Sequence, residues 1–378
     1  MKDRFPGYLF ASVLISRIVV TGPAYFADGP AHLRAIESGH YVIQFPGYWL
    51  FNRLGGFFPD PEIGIATMNW LFSALGAVIF YEASRKLTTE WVARAAAIAY
   101  VTVFFAWFSG AIHSTYASQL FFPILSIYCI LRLWESHAAF WGLSSAIAFI
   151  LAAGLRPSDG AFLAPAFIYG IVRAQEKAGR RFAYLAIAFV GCLSWLIPEE
   201  AALKGSIGAI GAGFRTQLNT VAVDTGLLGG AGTVKAFSDF LRYALPLTLG
   251  LSPVFPLTIK GKPNDLRKLL WVWILPGSLF FVLIYIADPP YLDFMLPAFL
   301  LLAVVGGTTE KRKIQSFILC STVNVAFFLF WRPIRPSTPS LRLVSYVVDA
   351  DLGRCTLYSI KHHRYPLRLR DLVREVMP

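Results

Sequence analysis

The 378 residues are 56% hydrophobic, 15% aromatic and only 15% charged, with mean hydropathy +0.57, which is too apolar for a soluble domain of this length. The net charge of +12 is spread over short loops between apolar stretches, so it points to membrane topology and anionic lipid and away from nucleic acid. Cys129, Cys192 and Cys320 lie in apolar runs and Cys355 stands alone, giving neither metal-ligand spacing nor a disulfide framework.

Apolar stretches near 7–24, 63–82, 92–110, 117–134, 138–154, 160–173, 183–198, 240–258, 269–287, 291–307 and 313–331 predict an all-α polytopic membrane protein with about eleven transmembrane helices. The yardstick is the roughly 20 apolar residues that a bilayer core demands. These stretches recur along the whole chain, so the first span is expected to act as its own uncleaved signal. Residues 1–331 form the transmembrane domain and 332–378 a basic tail.

With Lys2 and Arg4 in the cytoplasm, alternate loops carry Arg85-Lys86, Arg132, Arg173 to Arg181, Lys260 to Lys268 and Lys311 to Lys313, as the positive-inside rule requires. The long segments 25–62, 199–239 and 332–378 then fall on the opposite side. A functional site is therefore expected on the outer face of a plasma or bacterial inner membrane. The tail alone disagrees, with nine basic residues against four acidic ones. It is read as a small basic cap on lipid headgroups. The glycine-rich stretch 205–232 lacks the Lys-Ser/Thr ending of a phosphate loop and reads as a mobile or interfacial loop.

The first outer loop reads Asp28-Gly-Pro-Ala-His-Leu-Arg-Ala-Ile-Glu-Ser-Gly39. Leu33 and Ile36 share one face and Gly39 stops the turn, which predicts a short amphipathic interfacial helix. Asp28 either caps that helix or accepts a proton from an acceptor group at the outer mouth of the bundle. His32 and Glu37 are the neighbouring polar groups at the rim. The loop continues through Tyr41 to Arg53, an aromatic stretch punctuated by Pro46-Gly47-Tyr48 and suited to a bend at headgroup level.

Three further clusters are expected at outer span ends: His113-Ser-Thr-Tyr116, Arg156-Pro-Ser-Asp159 and Asp288-Pro-Pro-Tyr-Leu-Asp293. Ionisable groups near membrane depth are costly unless they pair or face water, so clusters on one side predict a shared polar cavity. Arg156 is the candidate to clamp a lipid phosphate through its planar fork, the alternative being a pair with Asp159 that closes a loop. Arg17, well inside the first span, either snorkels to the outer face or reaches the same phosphate site. Tyr291 joins the donor side, and Tyr48, Asp159 and Asp293 complete the cavity. One loop carboxylate with His32 and His113 makes too few ligands for a metal site, so neither metal nor other cofactor is assigned, and metal use stays open.

These residues resemble the GT-C type integral-membrane glycosyltransferases, in particular the protein O-mannosyltransferase-like branch, over roughly residues 8–175. That branch carries a loop Asp, then a short helix, then a His-Pro-Pro-Gly-Tyr-Pro-Leu-like element. Here Asp28 precedes Gln44-Phe-Pro-Gly-Tyr-Trp-Leu50, in which Pro46, Gly47, Tyr48 and Leu50 keep the pattern. Asn69-Trp-Leu-Phe-Ser-Ala-Leu75 and Ser114-Thr-Tyr-Ala117 match two further elements, although the family's Glu is absent from the second. The acid that the family places three residues after the loop Asp is replaced by Ala31. The resemblance implies transfer of a sugar from a polyprenyl-phosphate donor to a glycan, lipid or protein acceptor on the outer face, with Asp28 as general base. A polytopic transporter or lipid-linked sugar flippase is the alternative, and a non-enzymatic membrane assembly partner a third.

Overall fold

The computed structural model describes residues 3–21, 29–43, 47–202, 247–261, 263–283 and 289–330. The glycine-rich stretch, most of the segment 199–239 and the basic tail lie outside the described residues. What is described is helical, with no strand among the described residues.

Helix α1 (Phe5–Val20) packs on α4 (Pro61–Leu87), which in turn packs on α5 (Glu90–Thr102) and α8 (Phe122–Ser136). Asp60 starts α4 by accepting from the backbone N–H groups of Glu62 and Ile63, with Pro61 in the first turn; a cap of this kind stabilises a helix by about 1 kcal/mol. Helix α9 (Ala139–Leu155) packs between α8 and α11 (Ala178–Ala202). Its contacts are close because glycines line them. A Cβ on Gly142 would stand 2.4 Å from the Tyr184 ring, and one on Gly154 would stand 2.8 Å from the Trp195 ring. Helix α11 turns Phe182, Phe189 and Ile197 outward, the apolar outer face that a lipid-facing helix presents.

Among the described residues, three helical stretches are long and apolar enough to cross a membrane: Pro61–Leu87, Tyr116–Ser136 and Ala178–Pro198. Several predicted spans are broken instead of continuous. The stretch 92–110 divides at Val103 into α5 and α6 (Phe104–Ser109). The reason is distant in sequence: the Phe104 N–H is taken by Asn324 Oδ1 of the last described helix, Glu310–Phe330. The stretch 117–134 begins as α7 (Tyr116–Gln119), then turns at Leu120 into α8. The stretch 291–307 is a 3₁₀ turn, Pro289–Phe294, followed by the short helix Leu296–Val304.

Contacts between helix ends sort the two ends of the bundle. Lys86 at the end of α4 pairs with Glu135 at the end of α8, 2.9 Å apart, and the Thr89 hydroxyl before α5 donates to Glu310 across 2.7 Å. Arg173 at the end of α10 (Pro157–Arg173) reaches Asp265, 3.7 Å away, at the start of the helix Asp265–Leu283. The basic loops thus gather at one end. These exposed pairs contribute little stability each, but they fix which loops are neighbours. The first-loop elements, the turn between α6 and α7, the α9–α10 junction and the 3₁₀ turn gather at the other end.

Candidate functional site

At that second end the first loop folds into two short helices, α2 (Gly29–Glu37) and α3 (Trp49–Gly55). As the pattern predicts, α2 buries Leu33 and Ile36, and Gly39 leaves the helix at φ +70°. His32 is also buried on that face, where its Nδ1 lies 2.6 Å from Asn52 Oδ1. Asn52 Nδ2 donates to the Tyr41 carbonyl across 2.9 Å, so its Oδ1 is the acceptor and His32 Nδ1 carries the proton. The His32 ring packs edge-on against Phe51 and Tyr48. His32 is thus tied into the wall of the site through Asn52, while Glu37 is exposed at the end of α2.

Tyr48 enters α3 with φ +60° and ψ +31°, immediately after Gly47 at φ +102°. A left-handed tyrosine costs on the order of 1 kcal/mol, and such strain persists only where packing holds it. Here the held ring stands 5.9 Å from the Arg156 guanidinium.

Arg156 owes its position to the residue after it. Pro157 disfavours helical geometry at the preceding residue, so Arg156 adopts φ −147° and ψ +99° and α9 stops there, with α10 starting at Pro157. The side chain leaves this break between two helices and is 1% exposed. Its Nη1 donates to Thr115 Oγ1 across 2.7 Å, its Nε lies 3.5 Å from Asp159 Oδ1, and its plane covers the Tyr116 ring at 4.6 Å. Gln119 Nε2 donates to the same Asp159 oxygen at 2.8 Å. The predicted Arg156–Asp159 pair therefore exists, inside a larger set that also holds Thr115, Tyr116 and Tyr48.

A second half adjoins it. Arg17 does not snorkel: it is 2% exposed, donates from Nη2 to the Val101 carbonyl at 3.0 Å and lies over the Trp107 ring. Asp293, in the 3₁₀ turn, is 1% exposed and accepts from Ser109 Oγ. It lies within electrostatic reach of both Arg156 and Arg17. Two buried guanidiniums thus face two buried carboxylates, which offsets the cost of holding charge away from water.

His113 is buried in the turn between the two halves, beside the Glu62 backbone, and burial pushes its pKa down to about 4. It is neutral at pH 7. Asp28 and the side chain of Tyr291 lie outside the described residues. Among the described residues no three His, Cys, Asp or Glu side chains come close enough to share a metal ion.

Reading the sequence alone missed Gln119, Ser109 and Trp107. Their signal was present as polar or indole groups inside apolar runs, but nothing local distinguishes them from ordinary helix residues.

Residues 47–198 match the family described as dolichyl-phosphate-mannose-protein mannosyltransferase. That stretch contains Tyr48, His113, Tyr116, Arg156 and Asp159, and leaves out Asp28, Arg17 and Asp293. In fold, the chain is similar to the crystal structure of ArnT from Cupriavidus metallidurans bound to undecaprenyl phosphate. The TM-score is 0.56 at 14% identity, covering 99% of this chain and 75% of that one, a likeness of architecture. No curated protein matches in sequence. The resemblance to GT-C type membrane glycosyltransferases read from the sequence is borne out by the family match, and the structural match agrees with it in fold.

Proposed function

We infer that the chain is a GT-C type membrane glycosyltransferase, and propose that it moves a sugar from a polyprenyl-phosphate donor to an acceptor on the extracytoplasmic face. The observation that carries the reading is Arg156. It is a buried guanidinium fixed by Thr115, Asp159 and two tyrosine rings, at the end of the bundle opposite the basic loops. It lies inside the stretch matching the mannosyltransferase family.

In this reading Arg156 holds the donor phosphate and takes up the charge that develops as the sugar–phosphate bond breaks. Asp28, which precedes α2 in the chain, accepts the acceptor's proton while its oxygen or nitrogen attacks the anomeric carbon. The polyprenyl phosphate leaves with the bonding electrons. The glycine-rich segment and the basic tail belong to the outer face, and about eleven helices cross the membrane.

The test is transfer from polyprenyl-phosphate-mannose by the full chain reconstituted in liposomes, wild type against Asp28→Asn. Loss of a general base predicts a fall of roughly 10²–10⁴ in rate. Full activity in the Asn variant would remove Asp28 from that role. Movement of the lipid-linked sugar across the bilayer without transfer would favour a flippase.

A further inference from the structure

Asp293 has one oxygen occupied and one bare. Oδ2 takes the Ser109 hydroxyl, whereas Oδ1 is buried with no hydrogen-bond partner among the described residues. Interiors leave few such atoms, because a bare buried carboxylate oxygen forfeits its hydration. Arg17 Nε and Ser73 Oγ are buried without hydrogen bonds among the described residues, and both converge on Gly110, the residue after Ser109. A Cβ at Gly110 would stand 2.8 Å from the first and 2.2 Å from the second. Arg17, Ser73 and the Ser109–Asp293 pair, carried by α1, α4, α6 and the 3₁₀ turn, are thus brought together along the Ser109-Gly110 step of the backbone.

This is the donor and acceptor mixture that a polyhydroxylated ring requires, and Asp293 lies within electrostatic reach of Arg156. We propose that Asp293 is a specificity residue for the transferred sugar: its Oδ1 accepts a hydroxyl of the sugar while Arg156 holds the phosphate of the same donor. The inference rests on the polyprenyl-phosphate reading above and adds which group meets the sugar. Ser109 is the positioning residue, since its hydroxyl fixes the carboxylate so that Oδ1 stays available.

The experiment compares two probes on the full chain in nanodiscs: undecaprenyl phosphate, which has no sugar, and polyprenyl-phosphate-mannose. Asp293→Asn should bind the first within about twofold of wild type and the second about tenfold or more weakly, the size of one charge-assisted hydrogen bond. Ser109→Ala should shift the same ratio in the same direction by less, and it carries the test if the Asn variant fails to fold. Equal weakening of both probes would overturn the proposal by making Asp293 a counter-ion of the arginines, and so would unchanged binding of both. Failure of the wild type to bind the sugar-bearing lipid would overturn the donor reading itself. Normal wild-type binding with unchanged variants would overturn this inference alone.

Discussion

Arg156 Nη1 donates to Thr115 Oγ1 across 2.7 Å, joining the α9–α10 break to the turn before α7. The contact spans 41 residues of chain and fixes a guanidinium that is also stacked on Tyr116 and paired with Asp159. A charge so constrained is pre-organised, and pre-organised donors stabilise a phosphate without reorganising when it arrives.

Arg156→Lys keeps the charge and removes the planar fork and the stacking. One hydrogen bond to a charged group is worth about 1.5–3 kcal/mol, so kcat/KM for the donor should fall roughly ten- to hundredfold with little change in expression or melting temperature. A variant that melts earlier while its donor kinetics stay unchanged would reduce Arg156 to the pairing partner of Asp159.

His32 and Asn52 lie 2.6 Å apart and join α2 to α3. His32→Phe leaves Asn52 Oδ1 bare, at a cost of about 1–3 kcal/mol. The double variant with Asn52→Leu removes both polar groups, although it also frees the Tyr41 carbonyl that Asn52 serves. Thermal denaturation of the four members of the cycle should give a coupling of about 0.5–3 kcal/mol. Simple additivity would show that the two helices are held by packing alone.

His113 is held neutral by burial, its pKa lowered from 6.5 to about 4. Both folded and unfolded chains carry the neutral ring above pH 6.5, so this residue costs nothing there. As pH falls below 6.5 the unfolded chain binds the proton first, and stability declines until the folded form also titrates near pH 4. The loss is on the order of 3 kcal/mol. His113→Gln should flatten the decline in melting temperature between pH 6.5 and 4, and an undiminished slope would assign the decline to other groups.

Much of this architecture is written locally. Composition and apolar runs determine helices whose solvent is lipid, because no soluble surface accommodates so little charge. Leu33 and Ile36 encode the nine-residue α2, and Gly39 encodes its end. The Arg156-Pro157 dipeptide encodes the break between α9 and α10, since a proline ring constrains its predecessor whatever surrounds it. The expectation that the polar clusters share one end followed from counting loops between apolar runs.

What only the tertiary structure decided depends on partners far apart in sequence. The division of the 92–110 stretch at Val103 is set by Asn324, 220 residues from Phe104. The burial of Arg17 follows from a carbonyl on α5 and an indole on α6, and the role of Ser109 from a carboxylate 184 residues away. A sequence reports the polarity of each side chain. Whether a charge inside an apolar helix snorkels to water or finds a counter-charge is settled by which other helices pack against it, because at membrane depth the alternative to a partner is an uncompensated charge. For Arg17 and Asp293 that choice was made by the packing of α1, α6 and the 3₁₀ turn.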